Sequence, residues 1–327
     1  MKTPSTLRVL ALLGSALFGL TLSLPAATKL LVGHDLWIGY SGVFVAQDKG
    51  FFKEAGLDIE LKPFSNPGET LPAMAAGRLD IGLTTVQNLV LLNGTSDSSA
   101  VAIALIDASN GADAIVAKTS ITSLADLKGR KVGVTLGEVN EFLLLKGLEK
   151  AGMKESDLDI VNMSADDGGA AFVAGKIDAA VTWEPWVTKA QSAGGHALFT
   201  SAEIPDTIMD CIAVPAKSLA AKRATYAAFL AAISRGVELL ASRPDECLPI
   251  IAKYLESPVD DVKSMLARDK IYDLAANRKL FGASGTNAPA FETLRSVAAF
   301  TFSKGLVPRK VDAATLIDAS LVRATRP

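Results

Sequence analysis

Residues 182–186 read TWEPW and set two of the chain's three tryptophans on either side of one carboxylate. An indole offers a flat apolar face with one N–H at its edge. An acid beside it suits a cationic nitrogen, through ion pairing and cation–π attraction. Trp183 is therefore expected to stack on a ligand. Glu184 is expected to pair with its charge or cap the next helix, and Trp186 to pack in the core. Three other segments offer compatible groups. HDLWIGYSG (34–42) carries the aromatic faces of Trp37 and Tyr40 and the hydroxyl of Ser41. TTVQN (84–88) carries Thr85 and Gln87, both able to hydrogen-bond. LGEVNEF (136–142) carries Glu138, Asn140 and Glu141 at the start of a helical pattern. Free N–H groups at a helix start favour anions. Carboxylates there occupy those donors and repel an incoming anion.

Such residues need a scaffold that brings four distant segments together. Short apolar runs end in Gly, Thr, Ser or Asn and give way to helical patterns, as in KLLVGHDLW, LDIGLTT, RKVGVTLG, IDAAVTW and IMDCIAVPA. Strands alternating with helices predict an α/β fold with mostly parallel sheets. NEFLLLKGLEKAG puts Phe142, Leu145 and Leu148 on one helical face and ends in Gly152, a C-terminal cap. The chain also echoes itself: AAGRLDIGLTT (75–85) matches VAGKIDAAVTW (173–183), and GLDIEL is echoed by DLDIVNM. The spacing between the two pairs varies, which excludes a tandem repeat and predicts two lobes of similar topology. TTVQN and TWEPW then sit at the carboxyl ends of equivalent strands, where α/β sheets bind ligands. Two such ends facing each other make a cleft.

A chain of 327 residues suits two lobes of roughly 100–200 residues each. With 21% charged residues and a net charge of −2, it lacks the basic balance of a nucleic-acid binder. The N-terminus, MKTPSTLRVLALLGSALFGLTLSLPAATK, has two basic residues, an apolar run from Val9 to Leu24 and a Pro-Ala-Ala break. These mark residues 1–27 as a cleavable signal peptide, and no other stretch reads as long and apolar enough to cross a bilayer. Cys211 and Cys247 leave a disulfide and two buried free thiols equally open. His34 and His196 are the only histidines, too few for a typical zinc site with two unclustered cysteines. GxSxG, HExxH, CxxC, P-loop and GxGxxG patterns are all missing. Neither a metal nor a cofactor is expected.

Five segments occur in a telling order: WIGYSGVFVAQDKGFFKEAGLDIEL, AAGRLDIGLTT, SNGADAIVAKTSITSLADLKGRKVGV, FLLLKGLEKAG and VAGKIDAAVTWEPWVTKA. Together they resemble the periplasmic solute-binding proteins of ABC transporters for nitrate, aliphatic sulfonates and taurine, the NMT1-like family, over residues 30–215. The resemblance implies a type II periplasmic-binding-protein fold, two α/β lobes joined by two crossing strands near 112–118 and 208–216. Lobe 1 would comprise 28–115 and 211–327, and lobe 2 residues 116–210. It also implies a periplasmic monomer that closes on a small-molecule ligand and delivers it to a membrane permease, without nucleic acid. Asp113 and Asp210 would lie on the crossings, with Asp107 and Asn110 on the same floor. By resemblance to taurine binders, an acid on the first crossing receives an amino group. The expected ligand is an amine-bearing, guanidine-like or amino-sulfonate solute. Nitrate or alkylsulfonate binding is the alternative on the same fold. A thiamine-pyrimidine synthase of the same fold is the enzyme alternative, and a receptor signalling to a membrane kinase is a third.

Overall fold

The computed structural model describes residues 27–325. The expected signal peptide, but for Ala27, lies outside the described residues. The strands are β1 (Thr28–His34), β2 (Leu57–Pro63), β3 (Ile81–Thr85), β4 (Ala100–Ser109), β5 (Asp113–Lys118), β6 (Lys131–Val134), β7 (Asp159–Asn162), β8 (Ala179–Trp183), β9 (Gly195–Thr200), β10 (Met209–Pro215) and β11 (Asp269–Ile271). They form two sheets, ordered β11-β4-β10-β3-β1-β2 and β7-β6-β8-β5-β9. The chain leaves the first sheet after Ser109, enters the second at Asp113, and returns between Thr200 and Met209. The whole of β5 belongs to the second sheet, so the changeover precedes residue 116.

Each sheet is mixed. β1 runs parallel to β2 and β3, and β6 runs parallel to β7 and β8. β10 is antiparallel to β3 and β4, and β5 is antiparallel to β8 and β9. β5 and β10 arrive from the neighbouring sheet, not by a helical crossover over their own, and so escape the parallel direction.

The sequence echo has a structural cause. The helices before β3 and β8 end with Gly77 at φ 75° and Gly175 at φ 72°, the left-handed conformation that glycine adopts at least cost. The next backbone N–H turns back in both, from Arg78 to Ala73 O and from Lys176 to Ala171 O. Then comes the shared aspartate. Asp80 accepts the Leu31 N–H at 3.0 Å and Lys222 Nζ at 2.6 Å. Asp178 accepts the Lys131 N–H at 3.1 Å and Lys118 Nζ at 2.8 Å. Each carboxylate thus ties its strand to the parallel neighbour, β1 or β6, and sets where the strand end falls.

Helices cover the sheets. The 20-residue helix Arg223–Ser242 has the length and apolar composition of a membrane span, against the expectation that no stretch beyond the N-terminal one would. Its Phe229, Leu230, Ile233 and Val237 are buried in the core of the first lobe, against the helix Ser41–Asp48. Cys211 and Cys247 are both buried and free. The lobes touch directly. Phe142 meets Phe300 edge-on at 4.7 Å between ring centres. Arg268 Nη1 lies 2.7 Å from Glu184 Oε1.

Candidate functional site

β3 and β8 end side by side with the crossing strands. In the ladders Asp210 stands opposite Thr85, and Asp113 stands opposite Trp183. Both aspartates are thereby fixed at the junction of the two lobes. β1 stops at His34, and the short turn Ile38–Tyr40 that follows brings Asp35 and Trp37 to the same place. A cavity of about 10 Å³ lies between Asp35, Trp37, Thr85, Asp113, Trp183 and Asp210, closed by the apolar side chains of Val139 and Ile208.

Carboxylates dominate this place. Burial pushes Asp35 and Asp113 up to about 7, and the nearby Glu184 adds to the effect at Asp113. Burial, then the Asp107 and Asp35 carboxylates, push Asp210 well above the usual range. Asp107 and Asp269, behind the cavity, are displaced in the same direction, chiefly by burial and then by neighbouring aspartates. Asp107 is held by the Trp37 indole N–H on one oxygen and the Asp210 backbone N–H, at 3.0 Å, on the other. Gly39 leaves room for this carboxylate, since a Cβ there would fall 1.3 Å from Asp107 Oδ2. The oxygens Asp35 Oδ1, Asp113 Oδ2 and Glu138 Oε2 are buried and accept no hydrogen bond among the described residues. Among the described residues no lysine or arginine lines the cavity. A buried carboxylate without a partner is costly in its charged form, so the cavity complements a cation.

The expected residues divide. Trp37, Thr85, Asp113, Trp183 and Asp210 line the cavity, and Tyr40 is fully buried beside Asp210, Asp35 and Asp107. Ser41 is spent in its own turn, donating to Ile38 O. Gln87 Nε2 donates to the backbone oxygen of Glu138 at 3.1 Å, across the lobes. Asn110 lies at the changeover, its N–H donating to Arg268 O at 2.9 Å. Asn140 is buried behind β8, with Nδ2 3.5 Å from Val181 O. Glu184 faces away from the cavity. It accepts the Thr188 N–H and Oγ1, both at 3.0 Å, and pairs with Arg268. It therefore caps its helix and has no open side for a ligand. Trp186 is half-buried, packs on Gly169, and donates to Asp166 Oδ1 at 2.9 Å.

At the helix Val139–Lys150 the roles of the two acids separate. Glu141 Oε2 accepts the Gly137 N–H at 2.5 Å and occupies the helix start. Glu138 reaches over to the first lobe, where its carboxylate lies against Gly68; burial raises it to about 7. Sequence reasoning missed Asp35, Asp166 and Asp269. Asp35 stood within the quoted HDLWIGYSG segment, where an acid next to two aromatics was a usable signal. Asp269, on the three-residue edge strand β11, had none.

Comparison with known proteins gives three kinds of match. The family described as NMT1/THI5 like matches residues 37–247. A putative binding protein of Brucella abortus (strain 2308) is 29% identical over 226 residues, covering 68% of this chain and 69% of that protein. A putative thiamine biosynthesis protein of Haemophilus influenzae is 24% identical over 304 residues, covering 90% and 94%. The crystal structure of the periplasmic aliphatic sulphonate binding protein of Escherichia coli superposes with a TM-score of 0.74 at 22% identity, covering 90% of this chain and 99% of that one.

Proposed function

The chain belongs to the NMT1/THI5-like family, and on that premise we propose that it is the solute-binding component of an ABC importer, holding a small cationic or amine-bearing solute between its lobes. One observation carries the reading: Asp35, Asp113 and Asp210 converge on one interlobe cavity that no basic side chain lines among the described residues. The Escherichia coli protein of similar structure is an aliphatic sulphonate binding protein. In this chain Glu141 occupies the start of the helix Val139–Lys150, where free N–H groups would otherwise suit an anion. Trp37 and Trp183 supply aromatic faces for a cationic nitrogen. Periplasmic location and delivery to a membrane permease follow from the same reading. Titration of the purified protein, followed by tryptophan fluorescence, tests it. Amines or guanidine should change the emission, and nitrate or an alkanesulfonate should not. Tight anion binding with no response to cations overturns it.

The name of the Haemophilus influenzae relative favours an enzyme of thiamine-pyrimidine synthesis as a second reading. His34 would be its reactive group. Here His34 Nδ1 is 2.8 Å from Asp35 O, the ring packs on Phe44, and burial lowers its pKa. Product formation in a turnover assay would establish this alternative over the first.

A further inference from the structure

We propose that the solute is a linear diamine or polyamine, with one ammonium in the inner cavity and the next in an acidic vestibule outside it. The inference rests on the cationic reading above and narrows it. Beyond the inner cavity lies a second, solvent-open space of about 420 Å³ between the lobes. The two spaces share Asp35 and Trp183. The inner one, at about 10 Å³, has the room that one water centre needs, which suits an ammonium head and little more. The outer one is lined by Glu69 from the first lobe and Asp166 and Asp167 from the second, with Phe64, Leu36 and Trp183 as its apolar walls. No lysine or arginine lines it among the described residues.

Asp35 links the two. It is 4% exposed, its Oδ1 accepts no hydrogen bond, and both Asp166 and Glu138 lie close enough to disfavour its charge. Asp166 holds both indole N–H groups of Trp183 and Trp186 on one oxygen, at 3.2 and 2.9 Å, which leaves its other oxygen for a ligand. A methylene chain passing Trp183 would keep apolar contact between the two charged ends. An amino sulfonate fits the inner cavity by its ammonium but leaves its sulfonate among Glu69, Asp166 and Asp167.

The test is calorimetric titration with putrescine, spermidine, n-butylamine and taurine. Putrescine should bind more tightly than n-butylamine by about tenfold, the sum of a few solvent-open ion pairs, and taurine should bind more weakly than either. The double variant Glu69→Gln/Asp167→Asn, both sites being exposed, should bring the putrescine-to-butylamine ratio close to one. Equal affinity for putrescine and n-butylamine in the unaltered protein overturns the vestibule while leaving the cationic cavity standing. Taurine binding as tightly as putrescine overturns it as well. No response to any amine overturns both the inference and the reading beneath it.

Discussion

In the first lobe β3 ends at Thr85, whose Oγ1 accepts the Asn88 N–H at 3.1 Å and caps the next helix. In the second lobe β8 ends at Trp183, and the acceptor for the next helix is Glu184, one residue on. Upstream the two ends are alike: a left-handed glycine, an aspartate tying the strand to its parallel neighbour, and a crossing strand that sets an aspartate opposite the last residue. They part at the cavity. The first lobe leaves a small hydroxyl and keeps Asp35 and Asp210 free of cations. The second lobe supplies an aromatic wall and one extra carboxylate, and the first lobe neutralises that carboxylate with Arg268. What the comparison teaches is that pairing, not the count of acids, decides which of them stay open towards the cavity. Glu184 is as deeply buried as Asp210, 1% against 5% exposed, yet of the two only Asp210 lines the cavity.

The largest expected effect is on pH dependence, and it weighs the unpaired acids together. Asp35, Asp113 and Glu138 titrate at about 7 in the folded protein and near 4 in the unfolded chain. The native state therefore keeps protons that the unfolded state releases. Stability of the ligand-free protein should fall as pH rises from about 4 towards 7, and go on falling above it as Asp210, Asp107 and Asp269 lose their protons. Three units at one group correspond to about 4 kcal/mol, so with three groups titrating together the fall should exceed that single-group value. Urea unfolding at pH 5 and pH 8 measures it, and a protein more stable at pH 8 contradicts the assignment.

Asp210→Asn comes next. It should weaken binding of an amine probe by about 100-fold, close to 3 kcal/mol, and raise the melting temperature of the ligand-free protein at pH 8. Unchanged affinity would remove Asp210 from the site. Arg268→Gln should act on the other limb of the comparison. It leaves Glu184 buried without its cation and should cost about 2 kcal/mol of stability, reduced from the value for a fully buried pair because Arg268 is 33% exposed. A melting temperature equal to that of the unaltered protein would show the pair to be dispensable. Thr85→Ala is the mildest change. Loss of the cap should cost about 1 kcal/mol, seen in urea unfolding. A neutral result would mean that another group caps that helix.

Much of the scaffold was legible because its signals are local. The repeated Ala-Gly, basic, aliphatic, Asp pattern marks a helix stop followed by a strand anchored by its aspartate, and both copies do the same physical work. Trp183, Asp113 and Asp210 were legible for the related reason that they lie at strand ends. The cap made by Glu184 was legible as well; its ion pair was not, because the partner Arg268 comes from 84 residues further along the chain. Nor was Asp269, which β11 delivers beside Asp107 by antiparallel pairing with β4. Ser41, Gln87 and Asn140 have suitable chemistry for ligand contacts, but backbone oxygens a few ångströms away already take their donors. No spacing rule reveals that use.

Proton exchange on binding tests the central claim most directly. Calorimetry with putrescine at pH 7, in two buffers of different ionisation heat, reads the protons exchanged as the complex forms. A cation entering among carboxylates that titrate near this pH must lower their pKa values, so net release of protons is predicted, together with no heat from nitrate or an alkanesulfonate. Tight binding of either anion, accompanied by proton uptake, would contradict it.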